Sequence, residues 1–165
     1  MKKTDAAKNR ILDINPDCDV ETVPVFFAPG DEKPDFSSYD YVIDAIDSVP
    51  AKLEIVRRAV AVSVPVISAM GAGNKLDPCA FRVSDLSKTS VCPLAKIMRT
   101  SLRKEGILHV KTVYSEEIPR EGLKDEEGHR VPASVSFVPG AMGLAIAGEV
   151  IRALALGEKG EKDDG

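Results

Sequence analysis

Two carboxylates three residues apart, Asp44 and Asp47, close an apolar run from Tyr41 to Ile43 and stand just ahead of a helical pattern. Such a run predicts a strand of an α/β sheet, where ligands bind beyond the carboxyl ends of the strands. There a lone carboxylate can hold Mg²⁺ with a nucleotide's phosphates, because the ion keeps most of its water and takes one or two protein oxygens. Asp47 is the candidate. The plainer role for Asp44, Asp47 and Ser48 is to cap the first amides of the following helix, and spacing alone favours the cap. The phosphate side of a nucleotide site is harder to find. The 165 residues hold neither a G-x-G-x-x-G nor a Walker-type loop. Met70-Gly71-Ala72-Gly73 is too short a glycine turn to stand in for one.

Other reactive side chains are scattered. Cys92 precedes Pro93 at a predicted helix start, where a thiol's pKa can fall, although a structural cysteine is the plainer reading. Cys18, Cys79 and Cys92 are odd in number and widely spaced. That argues against a disulfide framework or a zinc site and suits a reducing cytoplasm. His109 and His129 have no spaced ligand partners, so they read as ordinary histidines. Lys96, Arg99 and Arg103 share a helical stripe, with Lys88, Lys104 and Lys111 nearby. The stripe could meet nucleic-acid phosphates. A solvated face is the plainer reading, since no aromatic residues are interleaved and the net charge is −4.

A chain of this length, 44% apolar and 29% charged, can build one core-bearing domain. Met1-Lys2-Lys3 is basic but lacks the apolar core of a signal peptide. Pro139 to Leu156 is the most apolar segment, and Glu149 and Arg152 inside it speak against a membrane span.

The positioning elements follow from periodicity. Thr4 to Ile14 predicts a helix that stops before Asn15-Pro16. Val20 to Phe27 predicts a strand, placed at an edge by Pro24. Tyr41 to Ala45 predicts a strand buried on both faces. Pro50 to Ser63 predicts a helix with a Leu53, Val56 and Val60 stripe, widened by Ile55, Ala59 and Val62. Pro65 to Ala69 completes a βαβ unit with a right-handed crossover. Cys79 to Leu86 alternates as an antiparallel strand. Pro93 to Glu105 predicts a helix with Leu94, Ile97, Met98, Ser101 and Leu102 inward, stopped by Gly106. His109 to Ser115 predicts a strand, Glu116 to Pro132 a mobile loop, and Ser134 to Val138 a short strand. Gly140 to Leu156 predicts a helix apolar on nearly all sides and therefore buried.

In order and spacing, several segments resemble the ThiF/HesA/MoeB family, bacterial relatives of ubiquitin-activating enzymes. They are Arg10 to Pro16, Tyr39 to Ser48, Gly71-Ala72-Gly73 with Asp77-Pro78, Asp85 to Thr89, Pro93 to Lys96, and Ser136 to Pro139. The likeness runs from Lys3 to Leu156 and is strongest to the branch that adenylates a threonylcarbamoyl carboxylate on a tRNA adenosine and closes a ring. It implies an α/β, Rossmann-like mixed sheet with flanking helices. Residues 1–156 would be the C-terminal portion of a ThiF-type domain, and 157–165 a charged, disordered tail.

The resemblance also implies ATP and Mg²⁺ as cofactors, with Asp47 at the Mg²⁺–triphosphate and Lys3 on the phosphates. Ser48 lies where the family often has asparagine against the nucleotide. Relatives carry a glycine-rich strand–turn–helix ahead of the matching lysine, whereas this sequence begins at Met1. Thr112 stands where many relatives have a cysteine. The implied reading is therefore a remnant site, not catalytically complete alone, with ATP binding weak or absent. In the family's 3-2-1-4 strand order, two strands between Val20–Phe27 and Tyr41–Ala45 would be missing. Either those two pair directly, or a second chain fills the gap, as a homodimer or a complementing N-terminal chain. A non-catalytic dimerisation or docking module is the alternative. A reduced Rossmann-type oxidoreductase is a third, opposed by the missing fingerprint.

Overall fold

The computed structural model describes residues 1–31, 34–124, 126–128, 130–131 and 133–157. His129 and residues 158–165 of the expected tail lie outside the described residues. The chain divides into two compact units, Met1–Asp31 and Glu32–Gly165, each taken by itself below.

The first unit is built on α1 (Lys3–Ile14). Asn15 ends it, its N–H donating to the Ile11 carbonyl at 2.8 Å, ahead of Pro16. Lys8 Nζ donates to the Val20 carbonyl at 2.5 Å and ties the helix to the segment that follows. That segment corrects one expectation: Val20 to Phe27 forms no strand. Pro24 removes a ladder donor, and Val25 and Phe26 stay 64% and 84% exposed. β-propensity without a packing partner does not make a strand.

The second unit holds a four-stranded sheet ordered β1-β2-β4-β3. β1 (Val42–Asp44), β2 (Val66–Ala69) and β4 (Lys111–Ser115) run parallel, and β3 (Phe81–Asp85) pairs antiparallel with β4. The crossover from β1 to β2 is α2 (Val49–Ala61), with Pro50 in its first turn. α3 (Pro93–Arg103) precedes β4, and Gly106 at φ +80° closes the turn after it. Two aspartates of the family-like segments prove to be turn makers. Asp77 accepts the Cys79 N–H at 2.8 Å before β3, and Asp85 accepts the Ser87 N–H at 2.7 Å after it.

The strands' period of two splits the core between the faces. On one face Val42, Val66, Met70 and Tyr114 pack with Val56 and Ala59 of α2 and with Ala95, Met98 and Leu102 of α3. On the other, Ile67, Ala69 and Val113 pack with Met142 and Ile146 of α4 (Phe137–Leu156). The α/β mixed sheet with helices on both faces is thus as expected.

Several boundaries move. β1 is not buried on both faces: Val42 and Asp44 face the core and Ile43 stays 48% exposed. Among the described residues β1 pairs only with β2, so the direct pairing with Val20–Phe27 does not occur. Val60, Val62 and Ile97 are exposed, because Ala51, Val56 and Ala59, and Ala95, Met98 and Leu102, take the inward places on their helices. The predicted loop 116–132 contains a short antiparallel pair, β5 (Leu123–Lys124) and β6 (Arg130–Val131). Ser134 to Val138 forms no strand, since α4 begins at Phe137.

The largest correction concerns α4. Only Val138, Met142 and Ile146 are buried, one stripe at a spacing of four. Leu144, Ile151, Leu154 and Leu156 are exposed. The helix is long and apolar enough to cross a membrane by length and composition, at mean hydropathy 1.5, so Glu149 and Arg152 do not exclude it on that ground. Here its buried stripe lies on the sheet, and Glu149 pairs with Lys111 of β4 at 3.1 Å.

Met98 is fully buried between α2 and the sheet. Met98→Asp places a charge there without a partner, costing several kcal/mol against a domain margin of about 5–15 kcal/mol. The variant is expected to unfold or to melt far below wild type in a thermal scan. An unchanged midpoint would mean that this face of α3 is not core.

Candidate functional site

Because β1, β2 and β4 are parallel, the loops that leave them gather at one edge of the sheet. These are the β1–α2 turn at 45–48, the loop 70–77 after β2, and the segment from Glu116 after β4. This is the edge where an open α/β sheet takes ligands.

The β1–α2 turn is organised around Asp44, which is fully buried. In the strand register Asp44 lies opposite Ser68 of β2, and Ser68 Oγ donates to Asp44 Oδ2 at 2.5 Å. Lys52, from the first turns of α2 and equally buried, brings its ammonium to 3.0 Å from the same oxygen. Lys52 Nζ also donates to the Ile46 carbonyl at 3.1 Å, and the Ile46 N–H donates to Asp44 Oδ1 at 3.2 Å. Every polar group of the cluster has a partner, which a buried charge requires.

The sequence-predicted site residues fall around this cluster as follows. Asp47 stands on the turn, exposed, with no hydrogen bond or ion pair for its carboxylate among the described residues. Ser48 is half-buried at the N-cap position of α2 and makes no side-chain cap bond. Lys3 opens α1, exposed, in the other unit. The structure therefore brings Asp47 and Ser48 together on one turn. The capping role proposed for Asp44 gives way to burial and pairing. Asp47 thus offers one exposed carboxylate on this turn. No cluster of three or more metal-ligating side chains occurs among the described residues.

The next loop along the edge holds a second buried cation. Lys75 is 2% exposed and donates to the Glu117 backbone carbonyl. Burial pushes the Lys75 ammonium below its ordinary range, with Cys92 and Glu117 pulling the other way. The Glu117 carboxylate accepts the N–H groups of Leu76 and Asp77 at 3.0 and 2.9 Å, which hold its pKa below the usual glutamate value. Asn74, at φ +58°, ties in the later segments: its carbonyl accepts the Arg120 N–H, and its Oδ1 accepts the Ala133 N–H. A cavity of about 200 Å³ lies here, lined by Asn74, Lys75, Arg120, Gly122 and Val135.

The remaining candidates take structural places. Arg99 donates to the carbonyls of Leu86 and Thr89, so it fastens α3 to the turn after β3, while Lys96 and Arg103 are exposed. Cys92 is buried and all three cysteines are free. His109 is a surface histidine 3.3 Å from Asp85. Sequence reasoning missed Lys52 and Lys75. For Lys52 a signal existed, since it lies four residues before Val56 on the stripe that meets the sheet. For Lys75, in an irregular loop, none did.

Comparison with known proteins agrees with this fold. The ThiF family profile matches residues 1–163. The tRNA threonylcarbamoyladenosine dehydratase of Bacillus subtilis is 39% identical over 163 aligned positions, covering 90% of this chain and 64% of that protein. The Escherichia coli protein of the same name is 36% identical over 126 positions, covering 71% of this chain and 47% of its own length. Two crystal structures of the E. coli dehydratase are similar. The complex with AMP gives a TM-score of 0.78 at 28% identity, covering 96% of this chain and 66% of that one. The complex with ATP gives 0.75 at 29%, covering 94% and 66%. The chain thus spans about two thirds or less of these relatives.

The buried pair makes a sharp energetic prediction. Lys52→Met leaves Asp44 charged and unpaired, and Asp44→Asn leaves Lys52 so; each is expected to cost about 3–5 kcal/mol in urea unfolding. The double variant Asp44→Asn/Lys52→Met removes both charges at similar volume. It is expected to recover most of the loss, giving a large coupling in the double-mutant cycle. Additive single effects would show that the two charges do not depend on one another.

Proposed function

The chain belongs to the ThiF family, and from that premise we propose that it carries the metal-holding side of a site that activates a carboxylate with ATP. The observation that supports this most is the free, exposed carboxylate of Asp47 at the carboxyl edge of three parallel strands, on a turn pinned from below. Asp47 would hold the Mg²⁺ that accompanies the triphosphate and Ser48 would lie against the nucleotide; for Lys3, in the first unit, the family resemblance alone suggests a phosphate role. Mg²⁺·ATP supplies an α-phosphate that accepts the carboxylate oxygen and loses pyrophosphate. The protein's part is to neutralise and orient. The related dehydratases suggest the carboxylate of a threonylcarbamoyl group on tRNA, in a cytoplasmic setting that suits three free thiols.

The glycine-rich phosphate wall is not encoded in these 165 residues. Backbone amides at a helix start are the usual source of phosphate affinity. A polypeptide of this sequence alone is therefore expected to bind ATP·Mg²⁺ no tighter than the millimolar range, about −4 kcal/mol, and to lose that binding in Asp47→Ala. Calorimetry showing micromolar affinity would mean that the chain builds its own phosphate cradle. Millimolar binding unaffected by Asp47→Ala would remove Asp47 from the site.

A second reading, partner docking, is favoured by two surfaces. β1 is paired on one side only among the described residues, and an open strand edge recruits another strand. α4 presents Leu144, Ile151 and Leu154 outward, a face that solvent disfavours. A homodimer covers both, and a chain bearing the glycine-rich wall covers the first. Light scattering of the purified polypeptide is expected to give twice the monomer mass, and Leu144→Glu/Ile151→Glu to lower it. A monomer at high micromolar concentration would remove self-association.

A further inference from the structure

We propose that Lys52 is the positioning residue for Asp47. The inference rests on the reading of Asp47 as the Mg²⁺ ligand and concerns what holds that ligand in place. The Asp47 carboxylate touches no partner among the described residues, so nothing at its tip fixes it. Where it reaches is decided by its own backbone.

The Lys52 ammonium holds that backbone on its N-terminal side. Before Asp47, it donates a hydrogen bond to the Ile46 carbonyl at 3.1 Å, which fixes the peptide joining Ile46 to Asp47. After Asp47, the chain is held by the first backbone bond of α2, from the N–H of residue 52 to the Ser48 carbonyl at 2.8 Å, which forms whatever side chain stands there. One peptide earlier, the Ile46 N–H is held by Asp44, and Asp44 is held by Lys52 and Ser68. An exposed carboxylate thus stands on a backbone clamped from a buried cluster. Ligand groups work only when held to within about 0.5 Å of their productive place, and supporting contacts supply that tolerance.

The same ammonium has a second effect. Asp44 and Asp47 lie three residues apart. With Asp44 neutralised by Lys52, the negative charge that the turn offers to a cation is that of Asp47.

A packing role alone predicts that Lys52 affects stability and nothing else. A positioning role predicts a change at Asp47 even where stability is kept. The test is the full chain, labelled with ¹⁵N, titrated with millimolar Mn²⁺·ATP, reading paramagnetic broadening of backbone amides. In wild type the amides of Asp47 and Ser48 are expected to broaden first, and in Asp47→Ala the effect at Ser48 disappears. In Asp44→Asn/Lys52→Met, with a melting midpoint near wild type, the broadening is expected to fall to the Asp47→Ala level. Met98→Ala, destabilised far from the turn, is expected to keep it.

Wild-type spectra without selective broadening at 47–48 sink the metal reading, and this inference with it. Selective broadening that survives in the double variant sinks the positioning role alone. Should the double variant not fold, hydrogen exchange in wild type decides. The clamp requires the Ile46 amide to exchange at least about tenfold more slowly than that of Asp47, and equal rates overturn it.

Discussion

The side chains of Asp44 and Lys52 leave water together, and the geometry of the sheet's carboxyl edge follows from that. Each ion alone would carry a desolvation penalty of several kcal/mol. The fold must therefore bring them to 3.0 Å and satisfy their remaining valences at once. Ser68 does so from the next strand, which works only in the register that sets Asp44 beside it. Lys52 reaches Asp44 only if α2 begins where it does, within a turn of Val49. Register, helix start and turn shape are thus three consequences of one pairing. A one-residue slip of β1 would turn Asp44 to the other face and leave Lys52 buried without its counter-ion.

Beyond this cluster the edge is tied together by polar contacts between loops rather than by core packing. Asn74 and Glu117 bind the loop after β2 to the segment after β4, with Lys75 sealed beneath. The two sheet faces are covered unequally. Within the second unit and among the described residues, α2 and α3 share one face, while α4 lies over the other and buries a single stripe. Ile43 stays half exposed on β1, and the outer side of α4 stays apolar and open. Both observations have one cause: a single helix is too narrow to cover a four-stranded sheet, and a helix with two apolar faces has only one sheet to sit on.

Much of this was legible in the amino-acid order. Periods of two and 3.6 mark β1, β2, β3, α2, α3 and α4 closely enough to give the α/β class, and Gly106 marks a turn for a conformational reason. Inward and outward assignments were weaker. On α2 the predicted Val56 and Ala59 are buried, but Val60 and Val62 are exposed and the unpredicted Ala51 takes an inward place. Val20 to Phe27 failed because strand propensity is a statement about partners, and Pro24 takes a ladder donor out of the segment. The turn at Asp44 was legible as a place and not as a mechanism. A lysine on an apolar stripe, a serine inside an apolar strand and an aspartate at a strand end are each unremarkable alone. Only the register shows that they meet.

The distinction between Asp44 and Asp47 carries the functional reading, and it rests on how this chain uses aspartate elsewhere. Asp35, Asp77 and Asp85 each stand just ahead of a helical turn and accept the N–H two residues on, at 3.0, 2.8 and 2.7 Å. Asp44 does the same for Ile46 at 3.2 Å. Such turns satisfy the carboxylate locally and leave little for a ligand. Asp47 also stands just ahead of a helix, with Val49 two residues on, and the same bond is not made. The N-cap position itself belongs to Ser48, whose side chain makes no cap bond either. A buried clamp that orders the backbone around an uncommitted carboxylate has no stabilising return at the carboxylate itself. The arrangement makes physical sense if the missing partner is a cation brought by a ligand.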